Sequence, residues 1–271
     1  MPINKTYNTL LAEQSTDGVL TLTLHRPERR NALTPEMRDE LIDALGSARN
    51  SAEILILTGS GSAFCAGLDL SALETLAASS PSEQEADARS IAHLFRALHA
   101  FPAPTIAAVN GPAIAGGTGL ATLCDFTLAV PEAKFGYTEV RIGFIPAIVS
   151  VYLSFELGQK QAKNLLLSGR IFDAHHAHSL GLVDEIVEST NLLPRARALA
   201  AELLSNSPAS MRQTKQLFLA QSLPALDRGI EDAIAANAQA RQHPDFHEGV
   251  RAFLEKRTPQ WQRRLDAPSE P

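Results

Sequence analysis

The chain has 271 residues, 45% of them hydrophobic, and a formal net charge of −6. That length suits one main domain with a smaller appendage, and the apolar fraction is enough for a buried core. The mild acidity gives no broad electrostatic footprint for nucleic acid or an anionic membrane, and no apolar run reaches the ~20 residues of a membrane span. The first residues lack the charged-then-apolar pattern of an export signal. The two cysteines, Cys65 and Cys124, form no C-x-x-C pair, so neither a disulfide framework nor a zinc ribbon is expected. A cytoplasmic globular protein is the expectation.

In chain order, Val19 to Leu24 alternates apolar and small polar residues after Asp17-Gly18 and predicts a half-buried strand. Thr34-Pro35 is a helix-start pair, and Met37, Leu41, Ile42 and Leu45 share one helical face up to Gly46. Ile54 to Leu57 is a continuously apolar strand ending at Thr58-Gly59. Ser71 to Ser82, rich in Ser and Ala, is expected to be mobile. A helix is predicted over 83–100, stopped by Pro102, then a buried strand over Thr105 to Val109. A glycine cluster, a short helix and the strand Phe126 to Val130 follow. This alternation indicates stacked strand–helix units, hence an α/β fold. After about residue 190 only helical patterns appear, one from Ser207-Pro208 and one from Pro244 toward Lys256. The expected organisation is a core over 1–190, a helical region over 191–265 and a disordered tail over 266–271.

Two segments carry chemistry. In the first, a buried strand runs through Thr58-Gly59-Ser60-Gly61 into Ala63-Phe64-Cys65-Ala66-Gly67-Leu68-Asp69-Leu70. In the second, Val109-Asn110-Gly111 leads to Ala115-Gly116-Gly117-Thr118-Gly119. Each is a strand–glycine–helix junction, which presents unpaired backbone N–H groups. The second lacks the third glycine of a dinucleotide fingerprint, and no Gly-Lys-Ser/Thr loop is present. Two such junctions suggest an oxyanion hole. Losing one donor from such a pair typically costs about 3 kcal/mol of transition-state stabilisation. His175, His176 and His178 follow Asp173 and are better explained as a helix start than as metal ligands. Cys65 has no partner signature of a nucleophile and is expected to be buried packing. The G-x-S-x-G elbow of hydrolases is missing.

Six motifs in order resemble those of the crotonase (enoyl-CoA hydratase/isomerase) family. They are Arg26-Pro27-Glu28-Arg29-Arg30-Asn31-Ala32-Leu33, Ala63 to Leu70, Val109-Asn110-Gly111 with Ala115-Gly116-Gly117, Phe135 to Pro146, Gly181-Leu182-Val183-Asp184 and Phe253-Leu254-Glu255-Lys256-Arg257. The resemblance implies a ClpP-like spiral of ββα units with a C-terminal helical trimerisation region, assembled as a homotrimer or a dimer of trimers. It implies an acyl-CoA thioester as substrate, with no further cofactor and no metal. Leu68 and Gly116 would supply the two oxyanion N–H donors. Ala66, with Ala32, Gly67, Asp69 and Leu70 nearby, would grip the adenine and pantetheine. Arg29 or Arg30, and Lys256 of its own or a neighbouring subunit, would meet the coenzyme A phosphates. Glu139 would be the acid–base residue, its pKa raised by an apolar acyl pocket.

Three departures stand out. Gly119 occupies the place where many family hydratases carry a second glutamate. Ala115 stands where glycine is usual, and Ala147-Ile148-Val149 follows Pro146 where many members have glycines. The pattern around Thr138 to Ile148 is similar to bacterial single-glutamate hydratases of branched substrates, such as methylglutaconyl-CoA hydratases. Hydration of an enoyl-CoA is therefore the expected activity. The alternatives are a single-glutamate Δ3,Δ2-enoyl-CoA isomerase, or an inactive or RNA-binding scaffold. Net charge −6 and the lack of aromatic–basic interleaving oppose RNA. Ser71 to Glu85 and Ile148 to Leu153 are expected to line the acyl pocket.

Overall fold

The computed structural model describes residues 5–261. The tail expected over 266–271 therefore lies outside the described residues. The chain opens with strand β1 (Leu10–Gln14), which the sequence pattern did not single out, and turns at Asp17-Gly18 into β2 (Val19–Leu24). Then come α1 (Pro35–Ala48), β3 (Ile54–Gly59), α2 (Leu70–Ala78), α3 (Pro81–His99), β4 (Thr105–Val109), β5 (Ala113–Ile114), α4 (Gly116–Thr122), β6 (Phe126–Ala129) and β7 (Lys134–Gly136). The second half holds α5 (Ala147–Glu156), α6 (Gly158–Ser168), β8 (Phe172–Asp173), α7 (Ala174–Ser179), β9 (Glu185–Ile186), α8 (Leu192–Leu204), α9 (Pro208–Arg241) and α10 (Pro244–Leu254).

The main sheet has the order β1-β2-β3-β4-β6-β9. Only β1 runs antiparallel to its neighbour. A parallel sheet needs cover on both faces, which is why β3 and β4 are almost continuously apolar and buried. β3 and β4 pair in register, Thr58 opposite Ala108. Both strands thus end at one edge of the sheet, and the loops that leave them are neighbours there. A second, small sheet is formed by β5, β7 and β8.

Helix boundaries follow local chemistry. Thr34 Oγ1 accepts from the Met37 amide at 3.2 Å, with Pro35 at the first helical position. Asp173 caps α7 by accepting from the His176 amide at 2.8 Å, so this histidine-rich turn is a helix start as expected. The stretch expected to be mobile instead carries α2, then a capping box in which Ser80 and Glu83 start α3 at Pro81. The boundary is a matter of capping: Ser80 and Glu83 each satisfy a donor of the other. Helix α9 spans 34 residues with Pro224 inside it, longer than its start signal alone implied. It packs across α3 and α5, and its Leu226, Ile230 and Ile234 join the main core.

Candidate active site

The first candidate loop is zipped onto the 26–33 segment. Asn31 is fully buried; its Nδ2 donates to the carbonyls of Ser60 (2.9 Å) and Ala63 (2.8 Å), and its Oδ1 accepts from the Arg26 amide (2.8 Å). Ala66 N–H donates to Arg30 O (3.0 Å), Leu33 N–H to Gly67 O (2.7 Å) and Asp69 N–H to Leu33 O (3.1 Å). Arg26 spans the same gap, donating to Ala32 O (2.7 Å) and pairing with Asp69 (3.0 Å). Because residues 67 and 69 face Leu33, the amide of Leu68 between them turns to the other side. It donates to no acceptor among the described residues. Gly67 sits at φ +89, a conformation that L side chains rarely adopt.

The second loop is fixed from below. Ile114 N–H donates to Cys65 O (2.9 Å) and Ala115 N–H to Gly136 O (2.7 Å). Thr118 Oγ1 lies 2.6 Å from Ala113 O and accepts from the Gly136 amide at 3.1 Å. Gly116 then opens α4, where first-turn amides have no intrahelical acceptor, and its N–H has none among the described residues. A Cβ on Gly117 would lie 2.2 Å from Cys65 O, so the two loops touch backbone to backbone. Ala115, the non-glycine at this junction, is held at φ 50, ψ −118. Such backbone is strained by about 1–3 kcal/mol. Cys65 itself is buried, with its thiol pushed up to about 12 by desolvation, and serves as packing.

Leu68, Gly116 and Glu139 line one cavity of ≈ 670 Å³. Glu139 begins a 3-10 turn (Glu139–Ile142) anchored by Phe144 N–H to Glu139 O (3.1 Å). Its Oε2 is buried without a hydrogen-bond partner. Burial raises its pKa to about 7, partly opposed by its own backbone N–H. Preceding it, Tyr137 lies 2.7 Å from Thr122 Oγ1, which ties β7 to α4 and fixes where Glu139 emerges. The neighbouring wall is hydrocarbon: Ile91, Leu94 and Phe95 from α3, and Ala147, Ile148 and Val149 from α5. A Cβ on Gly119 would lie 2.7 Å from Phe95 Cζ. Phe95 thus fills the space that a second carboxylate at position 119 would need.

Of the expected coenzyme A contacts, Arg29, Arg30, Ala32, Ala66 and Asp69 line this cavity. Gly67 shapes the loop but is not among the lining residues. Leu70 begins α2, and its side chain lies outside the described residues. Lys256 is exposed and does not line the cavity of its own chain; Arg257 does, held by Glu248 at 2.6 Å. The positive φ of Lys256 (54) redirects the chain after α10, which swings Arg257 rather than Lys256 inward. Sequence reasoning also did not single out Arg38 and Asn237, which both line the cavity. The spacing of Arg38 with Leu41 and Leu45 puts it on the inward helical face and was the available signal.

The comparisons agree with this architecture. The family model described as Enoyl-CoA hydratase/isomerase matches residues 14–264. A Thermus thermophilus protein named as a candidate enoyl-CoA hydratase is 46% identical over 245 residues, covering 90% of this chain and 97% of that one. The Escherichia coli 2,3-dehydroadipyl-CoA hydratase is 35% identical over 251 residues, covering 91% and 96%. The crystal structure of an enoyl-CoA hydratase/isomerase from Pseudoalteromonas atlantica superposes with a TM-score of 0.84 at 30% identity, covering 94% and 100%. The chain belongs to the enoyl-CoA hydratase/isomerase, or crotonase, family, and its α/β fold with a helical C-terminal region is the crotonase fold.

Proposed function

We propose that the chain is an enoyl-CoA hydratase that adds water across the 2,3 double bond of an enoyl thioester with one glutamate. The observation that carries this is the partnerless, buried Oε2 of Glu139 in the same cavity as the unpaired amides of Leu68 and Gly116. The thioester oxygen sits between the two amides, which stabilise the enolate that forms as C3 is attacked. Glu139 takes a proton from the attacking water, and the hydroxyl adds to C3. The same carboxyl then returns a proton to C2, so one water is consumed and the glutamate ends as it began. A pKa near 7 suits both halves of that cycle. Packing of Phe95 against Gly119 supports a one-carboxylate route.

Coenzyme A is bound at the cavity mouth, its phosphates by Arg29, Arg30 and Arg257 and its adenine and pantetheine along Ala32, Ala66 and Asp69. Lys256 serves a neighbouring subunit. The assembly is a homotrimer or a dimer of trimers formed through residues 191–265, a reading supported by Leu217 and Phe218 standing exposed on α9. The cytoplasm is the proposed location, which two free cysteines support. The test is loss of enoyl-thioester absorbance on adding enzyme to crotonyl-CoA, with Glu139→Gln as control. Conversion of a 3-enoyl-CoA to its conjugated isomer without any hydration overturns the hydratase reading.

A further inference from the structure

A cationic cluster that the hydration step does not use lies between α1, α3 and α9. Arg38 is 4% exposed and Arg241 1%. Both share one carboxylate, that of Asp87, at 2.5 Å from Arg38 Nη2 and 2.8 Å from Arg241 Nη2. Two guanidinium groups against one carboxylate leave an excess positive charge in the interior. Among the described side chains, no other carboxylate forms an ion pair with either arginine. Arg241 has further support from Asn237 Oδ1 (3.0 Å) and from the Phe144 ring 5.5 Å away. Even so, Arg38 Nε, Arg38 Nη1 and Arg241 Nη1 are buried with no acceptor. Burying charge without full pairing is costly, and such an imbalance persists where an anion from elsewhere completes it.

Arg38 and Asn237 line the cavity that holds Glu139. The anion that completes the cluster therefore arrives with the substrate. The coenzyme A phosphates are bulky and have exposed arginines of their own at the mouth, Arg29 and Arg30. Arg38 is buried and shares its cavity with the hydrocarbon wall of Ile91, Leu94 and Phe95. A carboxylate carried on the acyl chain fits that situation, since the buried guanidinium still has an unpartnered Nε and Nη1 and a carboxylate accepts a charge-assisted hydrogen bond from such a donor. We propose that Arg38, backed by Asp87 and Arg241, is a subsite for a carboxylate at the far end of the acyl chain. The preferred substrates are then enoyl-CoA thioesters of dicarboxylic acids. This rests on the hydratase reading above and specifies its substrate class.

The experiment compares kcat/KM for two 2-enoyl-CoA thioesters of equal length, one ending in a carboxylate and one in a methyl group. Wild-type enzyme is expected to favour the carboxylate by about tenfold or more, the scale of a charge-assisted hydrogen bond. Arg38→Met is expected to cut that ratio by about tenfold, and Arg38→Lys to restore part of it. A ratio is insensitive to loss of folded enzyme, and in Arg38→Met the Asp87 carboxylate keeps its pairing with Arg241. Equal rates in the wild type, or an equal fall on both substrates in Arg38→Met, would overturn the subsite and leave the cluster as a tie between helices. A second arm keeps the two readings apart. Saturated carboxyacyl-CoA and acyl-CoA are titrated into wild-type enzyme by calorimetry; equal dissociation constants sink the subsite even if no enoyl-CoA is hydrated. Absence of hydration with preferential carboxyacyl-CoA binding sinks the hydratase reading alone.

Discussion

The two sides of the cavity are built by different means. One side, the proposed oxyanion side, is backbone: Leu68 and Gly116 present amides without acceptors among the described residues, held by the Asn31 hydrogen bonds and by the contact of Gly117 with Cys65. The other, the proposed acyl side, is side chains: Phe95 over Gly119, Ile148 and Val149, and Arg38 with Asp87 and Arg241 behind it. A backbone site tolerates almost any side chain at Leu68 but almost no movement of the chain. A side-chain wall tolerates movement but changes meaning with every substitution. The chemistry common to a family can therefore reside in the first, and the choice of substrate in the second.

Four experiments break or sharpen that contrast. Glu139 reaches across both sides, and Glu139→Gln should lower kcat by about 10³-fold, the scale of lost general acid–base catalysis, while acyl-CoA affinity measured by calorimetry changes little. Gly117→Ala should come next. Its Cβ would be forced within 2.2 Å of Cys65 O, moving the Gly116 amide. We expect kcat to fall about 10²-fold and urea unfolding to show a loss of about 1–3 kcal/mol. Phe95→Leu on the proposed acyl wall should instead alter the chain-length preference in KM and leave kcat for a short enoyl-CoA within about threefold, because losing three ring carbons changes hydrophobic contact with the chain and not the groups proposed to touch the reacting atoms. If Phe95→Leu matched Gly117→Ala in kcat, the division between the two sides would fail.

The smallest effect concerns strain. Ala115→Gly should stabilise the protein by about 1 kcal/mol in a denaturant melt, since glycine adopts φ 50, ψ −118 without a Cβ clash.

The pH dependence adds a check on Glu139. With its pKa raised to about 7, the carboxyl is protonated in acid and becomes a base as pH rises, so kcat/KM should climb between pH 5 and 8 with a midpoint near 7. The stability consequence runs the other way. A carboxyl whose folded pKa lies above its unfolded value of 4.5 stabilises the fold below pH 4.5, and that contribution is lost as pH rises through about 7. Glu139→Gln should therefore gain stability over wild type on going from pH 4.5 to 8, by about 3 kcal/mol at most. An unchanged difference between the two melts across that range would show that Glu139 is not buried as described.

Much of the oxyanion side was legible in the sequence. Glycines that must sit at φ +89 or within 2.2 Å of another backbone leave no alternative residue, so Gly67 and Gly117 mark the loops by themselves. Apolar runs marked β3 and β4, and caps marked α1 and α7, because those signals are local. What the sequence did not carry was anything set by residues far apart in the chain. That Phe95 lies on Gly119, that Arg257 rather than Lys256 enters the cavity of its own chain, and that Arg38 and Arg241 meet over one carboxylate are long-range facts. Each depends on how α3, α9 and α10 dock on the sheet, and docking is decided by the summed burial of many side chains, which no single motif records.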